Sequence, residues 1–312
     1  MTEAPPSRVD PRPGNAWLYA SIAGLLAVSI AVQVTRDRGW EAYEPPTPLL
    51  WLQSGPLVKR TALGFDCLMA DVYWIRAVVY YGGRRRSPDA HRNFDLLYPL
   101  LDFVTTLDPR FKIAYRFGAI FLTEAYPNGP GRPDLAIGLL TRAIGKNESS
   151  WEYMEDIGFV HYWWLHDYKA AAEWFDRAGR QPGAPVWLAP LAATTLARGG
   201  DRQSSRTLWR QLRVSTDDPW LRQNAEARLQ QLDALDVLDL LNAAVDRFTA
   251  REGRPPREWR DLVSGERLRG VPLDPAGTPF VLDPATGRIA LSRDSPLWPL
   301  PAEGTEPAAT PR

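Results

Sequence analysis

The residue types that most often carry out catalysis are few in this sequence, and their spacing does not suit an active site. The chain contains three His and one Cys. His161 and His166 are five positions apart, which places them on different faces of an α-helix and not at the i, i+4 spacing of a two-His metal site. Cys67 lies in an apolar stretch, which predicts a buried small hydrophobic residue. No Gly-rich phosphate loop, Gly-x-Ser-x-Gly or His-Glu-x-x-His motif occurs, so we expect no enzyme activity.

Two clusters of charged residues have simple structural interpretations. Glu152, Glu155 and Asp156 lie near the start of a predicted helix, where acidic side chains complement the helix dipole. The basic run 84–86 follows a pair of glycines and is predicted to lie in a solvated turn. Contact of this run with lipid headgroups or with an acidic partner is the alternative.

The composition excludes several classes of protein. Lys and Arg together number 37 and Asp and Glu together number 37 in 312 residues, so the formal net charge is zero. Nucleic-acid binding is therefore not expected, because phosphate contacts require a basic surface. The single Cys excludes a disulfide framework within the chain, and the three His argue against structural zinc. The hydrophobic content of 45% is that of a globular protein with a core.

The longest uncharged segment of the chain is residues 16–34, AWLYASIAGLLAVSIAVQV. Its length approaches the roughly 20 residues that a transmembrane helix needs, and Trp17 and Tyr19 are placed as interfacial aromatic residues. We therefore predict a leader at 1–15, a single-pass anchor at 16–34 and a linker at 35–56. A cleaved signal peptide and a buried core helix are the alternatives.

The location of the chain follows from this predicted anchor. Arg residues lie on both sides of the segment, so the positive-inside rule does not decide the orientation. The short Pro-rich leader favours a signal anchor with the bulk of the chain on the extracytoplasmic side. We therefore expect a single-pass protein of the inner (cytoplasmic) membrane of a bacterial envelope.

A repeat of about 34 residues extends from residue 57 to residue 232. In each unit, small or apolar residues at offsets of +4 and then +3 form a stripe on one face of a helix. A period of this length indicates helix pairs that bury their faces against the next pair. The four stripes are Leu97, Leu101 and Val104; Ala136, Leu140 and Ala143; Ala171, Phe175 and Ala178; and Ser205, Trp209 and Leu212.

These helix pairs resemble the tetratricopeptide repeat family. In that family the second helix of each pair carries a small, a large apolar and a second small residue; the second and third stripes match, and the fourth departs at Leu212. Phe117-Gly118-x-x-Phe121 and Ile157-Gly158-x-x-His161 resemble its first-helix motif. The resemblance implies a mainly α superhelix whose concave face, built by the first helices, binds a peptide or helix of a protein partner. A helical array of another type is the alternative.

The candidate partner-binding residues lie on the predicted first helices. The segment 151–168 is rich in aromatic residues on more than one helix face, and one core cannot cover all of them. We expect some of these rings to line a surface, with core packing as the alternative for the others. The predicted groove residues are Tyr115, Phe121, Trp151, Glu155 and Tyr162.

The C-terminal region, residues 233–300, is predicted to be a small α+β module. Apolar residues recur at helical spacing over 235–250, a Gly-Arg-Pro-Pro break follows, and a short helix is predicted around 259–262. Two strand-like runs at 279–282 and 288–292 flank a turn sequence, which predicts a β-hairpin. Residues 301–312 are predicted to be a disordered tail.

Part of this module, Asp274-Pro275-Ala276-Gly277-Thr278-Pro279-Phe280, resembles the C-terminal region of type II secretion major pseudopilins. The N-terminal helix and processing site of a pseudopilin are absent, so an appended module is implied. Pseudopilin ends can bind calcium through loop carboxylates, for which Asp274, Asp283 and Asp294 are the candidates, and ordinary turn chemistry is the alternative.

The sequence as a whole predicts a membrane-anchored scaffold that binds protein partners of the envelope through a helical-repeat groove. The first alternative is a component of a secretion or pilus-type assembly. The second is an envelope hydrolase with an unrecognised site. No cofactor and no small-molecule substrate is predicted.

Overall fold

The computed structural model describes residues 16–38, 63–88, 91–146, 151–266 and 268–301. The predicted leader, the linker from residue 39 onward and the tail from residue 302 onward lie outside the described residues. The helices of the described part are α1 (Ala16–Arg38), α2 (Asp66–Arg86), α3 (Leu97–Leu107), α4 (Lys112–Thr123), α5 (Pro133–Ala143), α6 (Trp151–Val160), α7 (Tyr168–Gly179), α8 (Leu188–Arg198), α9 (Arg202–Ser215), α10 (Pro219–Glu252) and α11 (Trp259–Glu266). A π-helical turn (His161–Leu165) and two strands, β1 (Val281–Leu282) and β2 (Ile289–Ala290), complete these elements.

The chain is mainly helical, and from α2 to α10 each helix contacts the next helix in sequence. Helix α4 also contacts α6, two places further along. Contacts that are made mainly between neighbouring helices are typical of a stack of helix pairs. The prediction of a mainly helical fold, with helices packed against their neighbours, is confirmed.

The predicted stripes face the interior of this stack. Of the twelve stripe residues, eleven are buried and Leu212 is half-buried. Ser205 is the one polar member, and its hydroxyl donates a hydrogen bond to the Ala193 carbonyl oxygen at 2.7 Å. The hydroxyl is thereby satisfied in the core, where an unpaired polar group would be costly.

First and second helices approach each other most closely at two glycines of the predicted first-helix motifs. A Cβ atom placed on Gly158 of α6 would lie 2.5 Å from the Phe175 ring of α7. One placed on Gly118 of α4 would lie 2.9 Å from the Leu101 side chain of α3. Because a packed interior has no spare volume, larger side chains do not fit at either position without a shift of the neighbour.

The predicted boundary at 232/233 falls inside the continuous helix α10. The sequence has no Gly or Pro between Pro219 and Gly253, so nothing in it ends a helix there. The first half of α10 buries Ala225 and Leu229 against the repeat core, and the second half buries Phe248 in the C-terminal core. One helix therefore closes the stack and also forms the base of the C-terminal module.

The C-terminal module contains the predicted hairpin. The strands are antiparallel, with Val281 opposite Ala290 and Leu282 opposite Ile289. The side-chain amide of Asn242 on α10 donates to the Ile289 carbonyl oxygen at 3.1 Å, and its oxygen accepts from the Ile289 N–H at 3.0 Å. This pair of hydrogen bonds fixes the second strand to α10.

Two predictions about α2 are wrong. Cys67 is exposed and not buried, because α2 packs on the described helices through the side that carries Ala70, Tyr73 and Ala77, and Cys67 does not lie on that side. The basic run 84–86 forms the last turn of α2 and not a loop. Arg84 lies over the Tyr80 ring, 5.6 Å from its centroid, and positive side chains at a helix C-terminus interact favourably with the helix dipole.

Helix α1 contains the predicted anchor segment. Its described side chains, Trp17 and residues 19–35, are exposed. Across the described parts of the chain, no helix combines the length and the apolar character that crossing a membrane requires.

Candidate partner-binding surface

Tyr115 is part of the core and not of a groove, which corrects its predicted role. Its side chain is 1% exposed. Its hydroxyl donates to the Thr105 carbonyl oxygen at 3.4 Å, and its ring meets the Tyr153 ring edge to face, with centroids 5.7 Å apart. Burial raises the pKa of both phenols, that of Tyr153 to about 12. A partner on the surface cannot reach this ring.

Phe121 and Tyr162 are half-buried, and their rings pack on neighbouring helices. Phe121 of α4 stacks on Tyr81 of α2, with ring centroids 4.4 Å apart, and also on Trp74 at 6.0 Å. Tyr162 accepts a hydrogen bond from Arg198 Nη1 at 2.6 Å, and that guanidinium lies over its ring. Each ring contacts the first helix of a neighbouring repeat unit. Only part of each ring is therefore accessible to a partner.

The remaining two predicted groove residues also contribute to packing. Trp151 is half-buried against the core between α6, α7 and α8. Glu155 is 9% exposed, and its Oε2 atom lies 3.4 Å from Arg116 Nη2. The structure therefore does not bring the five predicted residues together as one exposed surface.

Helix α4 instead exposes a different set of apolar side chains, which the sequence analysis did not select. Ile113, Phe117 and Ile120 are 52%, 51% and 46% exposed. They occur at i, i+4 and i+7, so they form a continuous stripe on one side of the helix. We call these three residues the α4 stripe. The opposite side of α4 buries Ala114, Leu122 and other residues in the core.

A row of ion pairs borders the α4 stripe on the side of α6. Lys112 pairs with Glu152, and Arg116 contacts Asp156 through two hydrogen bonds, Nε to Oδ2 at 2.5 Å and Nη2 to Oδ1 at 2.8 Å. The acidic residues at the start of α6 therefore join two first helices, in addition to any interaction with the helix dipole. Since these charges are paired within the chain, the unpartnered part of this surface is apolar.

The environment of these carboxylates is only partly solvated. Burial raises the pKa of Glu155, and the neighbouring Asp156 charge raises it further. Burial also raises the pKa of Asp156, although the hydrogen bonds from Arg116 act in the opposite direction. Low solvation strengthens the interactions between paired charges in the row.

The aromatic segment predicted to reach a surface contains the π-helical turn. Trp163 and Leu165 in this turn are exposed, and His166 ends it with a φ of 51°. His161 is half-buried, and its Nδ1 lies 4.0 Å from Asp167 Oδ2. Burial lowers the pKa of His161. π-helical turns often occur at functional sites. This turn places the exposed Trp163 just after the C-terminal end of α6.

Two of the three predicted calcium ligands, Asp274 and Asp283, accept hydrogen bonds within turns. Asp274 accepts hydrogen bonds from the N–H groups of Ala276 and Thr278 and from the Ser295 hydroxyl. Asp283 accepts from the Ala285 N–H and from the Thr286 hydroxyl. Within the described residues, no group of three or more His, Cys, Asp and Glu side chains is arranged to hold a metal ion.

A cleft of about 560 Å³ lies between the segment before α3 and the loop between α4 and α5. Two Arg side chains that line it bond within the chain: Arg92 Nη1 donates to the Pro127 carbonyl oxygen at 3.1 Å, and Arg132 forms two hydrogen bonds with Asp134. Because these Arg side chains already bond within the chain, we take the exposed α4 stripe and not the cleft as the candidate binding site.

Comparison of the chain with models of protein families, with curated proteins and with solved structures finds no match. The candidate site therefore depends on geometry alone. Among the described residues, Ile113, Phe117 and Ile120 form an exposed apolar stripe on a helix that contacts helices on both sides.

Proposed function

We propose that this chain is a helical-repeat scaffold that binds an apolar segment of a protein partner on the α4 stripe. The observation that carries the proposal is the exposure of Ile113, Phe117 and Ile120 at helical spacing on a first helix. A face of this kind accepts the apolar side of an amphipathic helix, which offers side chains at the same spacing.

The surroundings of the stripe favour a partner with polar groups on one flank. The row of ion pairs runs along the α6 side of the stripe, while the Phe121 and Trp74 rings lie on the α2 side. An amphipathic helix whose polar edge faces α6 and whose apolar edge faces α2 would match both borders. Proteins of the bacterial envelope remain the proposed source of this partner.

The test places a photo-crosslinking amino acid at Phe117 in the full chain, in the cells that produce it. The matched control carries the same amino acid at Val214 on α9, which is 82% exposed. We expect a crosslinked protein at position 117 that is absent at position 214. The crosslinked segment is then synthesised as a peptide, and its affinity for the purified full chain is measured.

The double substitution Ile113→Ser with Phe117→Ser should weaken this peptide at least tenfold, because truncation of an apolar anchor often removes about 2 kcal/mol. The melting temperature should change little, since both side chains are exposed. Unchanged affinity in the double variant, or equal crosslinking at positions 117 and 214, would refute the proposal.

A component of a secretion or pilus-type assembly is the second candidate. Besides the resemblance to pseudopilins, it is supported by exposed apolar side chains on the C-terminal module, at Val271, Leu273 and Val281. A crosslink from Val281 to a pilin-like or channel protein, with none from Phe117, would favour this candidate over the scaffold.

Two finer features are part of the proposal. The tetratricopeptide type of repeat is supported by the small residues Ala136, Ala171 and Gly158 at positions of close helix packing. The membrane anchor is supported by the uncharged sequence of 16–34, whose described side chains are exposed in α1. Retention of the full chain in the membrane fraction after carbonate extraction tests the anchor, and release into the soluble fraction would refute it.

A further inference from the structure

The outer face of α2 carries a second stripe of exposed apolar residues, distinct from the α4 stripe. Leu68, Val72, Ile75 and Val79 are 59%, 37%, 60% and 58% exposed, and Phe65 just before the helix is 65% exposed. The intervals between these five residues are 3, 4, 3 and 4. We call them the α2 seam.

This alternation of three and four is the heptad pattern of a coiled coil and not the wider stripe of a helix that packs on a globular core. Phe65, Val72 and Val79 occupy a positions, and Leu68 and Ile75 occupy d positions. β-branched residues at a together with Leu at d favour two parallel strands. Val72 and Val79 at a and Leu68 at d follow this preference over about two heptads, whereas Phe65 at a and Ile75 at d depart from it.

Within the described residues, the seam is exposed and open to another helix. The opposite side of α2 buries Tyr73, Ala77 and Tyr80 in the repeat core, and these occupy the b and f positions of the same heptads. Since its own core already holds α2 in the helical conformation, pairing would not require the helix to be ordered, which removes a large part of the usual cost of association.

The charges beside the seam select a second copy of the same chain. Asp71 lies at a g position and Arg76 at the following e position, and both are exposed. In a parallel pair in register, the g residue of one helix lies next to the e residue of the following heptad on its partner. Asp71 of each copy would then face Arg76 of the other, which gives two symmetric ion pairs. In an antiparallel pair, Asp71 would not meet Arg76 in this way.

We propose that the α2 seam is a homodimer interface in which two copies pair in parallel through α2. The two copies are related by a twofold axis along the helix direction, so the same residues meet each other. Both N-termini of α2 then lie at the same end of the pair. The α4 stripe is not used, and each copy keeps its own partner-binding surface.

Cysteine crosslinking in the full chain tests the pairing, with Cys67→Ser as the background so that the native thiol does not react. Leu68→Cys and Val79→Cys place one thiol near each end of the seam, about 16 Å apart along the helix at 1.5 Å per residue. We expect mild oxidation of intact cells to produce a disulfide-linked dimer with each variant separately. Val214→Cys, on an exposed position of α9, is the matched control and should stay monomeric.

A charge exchange supplies the second measurement, made on the full chain in a mild non-ionic detergent by analytical ultracentrifugation. Asp71→Arg should raise the dimer dissociation constant about tenfold, because two attractive pairs become two repulsive ones. Asp71→Arg combined with Arg76→Asp should restore it. Phe117→Ser should leave it unchanged, which separates this proposal from the function proposed above.

Three outcomes would overturn the proposal. If neither end crosslinks to itself but a mixture of the Leu68→Cys and Val79→Cys chains does, the pair is antiparallel. If the chain is monomeric and both thiols react slowly with a water-soluble maleimide, lipid or another part of the same chain covers the seam. If the chain is monomeric and both thiols react at the rate of the Val214→Cys control, the seam is uncovered.

Discussion

Substitution of Gly158 by alanine tests the packing of α6 on α7, and the same substitution at Gly138, where there is open space, is the matched control. Both glycines lie inside helices, Gly158 in α6 and Gly138 in α5. A Cβ atom on Gly158 would lie 2.5 Å and 2.6 Å from two ring atoms of Phe175, whereas a Cβ atom on Gly138 would meet nothing within 4 Å. Glycine to alanine therefore changes helix propensity at both sites and packing at only one.

The expected magnitudes follow from these two contributions. Alanine stabilises a helix interior by about 1 kcal/mol relative to glycine, so Gly138→Ala should raise the free energy of unfolding by about that amount. Gly158→Ala gains the same helix contribution, but it loses about 1–3 kcal/mol through overpacking against the Phe175 ring, which is itself fully buried and cannot swing away. The two variants should therefore differ by about 1–3 kcal/mol, with Gly158→Ala the less stable.

Thermal unfolding of the full chain, followed by circular dichroism, measures this difference directly. For a domain of about 150–250 residues, 1 kcal/mol shifts the melting temperature by about 2–4 °C, so the two midpoints should be separated by roughly 2–12 °C. Equal stabilisation by both substitutions would show that Phe175 does not pack on Gly158 and that α6 and α7 are placed wrongly relative to each other. Adding Phe175→Leu to Gly158→Ala should recover part of the loss by making room for the new methyl group.

Three further measurements examine other parts of the structure. Ala171→Leu, at a fully buried position, should lower the free energy of unfolding by about 1–3 kcal/mol through overpacking. An unchanged urea midpoint would contradict the burial of Ala171 between packed helices. Burial raises the pKa of Glu155 above its ordinary value of 4.5, so the folded state binds this proton more tightly than the unfolded state does. The contribution of Glu155 to stability therefore falls as the pH rises from 4.5 through the raised pKa. Glu155→Gln should reduce that fall when urea unfolding is measured from pH 4 to pH 7, and an identical pH profile in the variant would contradict this reasoning. Gln231 donates to the Leu297 and Pro299 carbonyl oxygens, so Gln231→Leu should cost about 1–3 kcal/mol and speed amide exchange around residue 298; unchanged exchange would contradict this anchoring role.

The periodic stripes were predictable from the sequence because helical spacing is a local property. A residue at +4 and another at +3 share a helix face whatever surrounds them, and eleven of the twelve stripe positions are buried as expected. The glycines of the first-helix motifs and the hairpin turn were recognisable for the same reason, since each depends on residues that are close together in the chain. These local signals were sufficient for a mainly helical, stacked architecture.

The binding surface could not be assigned in this way. Helix α4 carries apolar residues on nearly every side, and spacing alone does not tell Tyr115, which is buried, from Phe117, which is exposed. The segment 112–123 contains more apolar residues than one buried helix face needs, which indicates a second apolar face. The same kind of excess led to the prediction of a surface in 151–168. Which face is left open depends on where α3, α5 and α6 lie, and these contacts join residues far apart in sequence.

The sequence by itself determined the helices, the stripes they bury and the strands of the C-terminal hairpin, because each follows from the spacing of neighbouring residues. Only the tertiary structure decided that α10 joins the repeat stack to the C-terminal module and that Arg116 pairs with Asp156. It also decided that the face of α2 with Leu68 and Ile75 points away from the core. The physical reason is that exposure and pairing are properties of the assembled stack. The periodicity of α2 alone does not distinguish the face that the described helices cover from the face that they leave exposed.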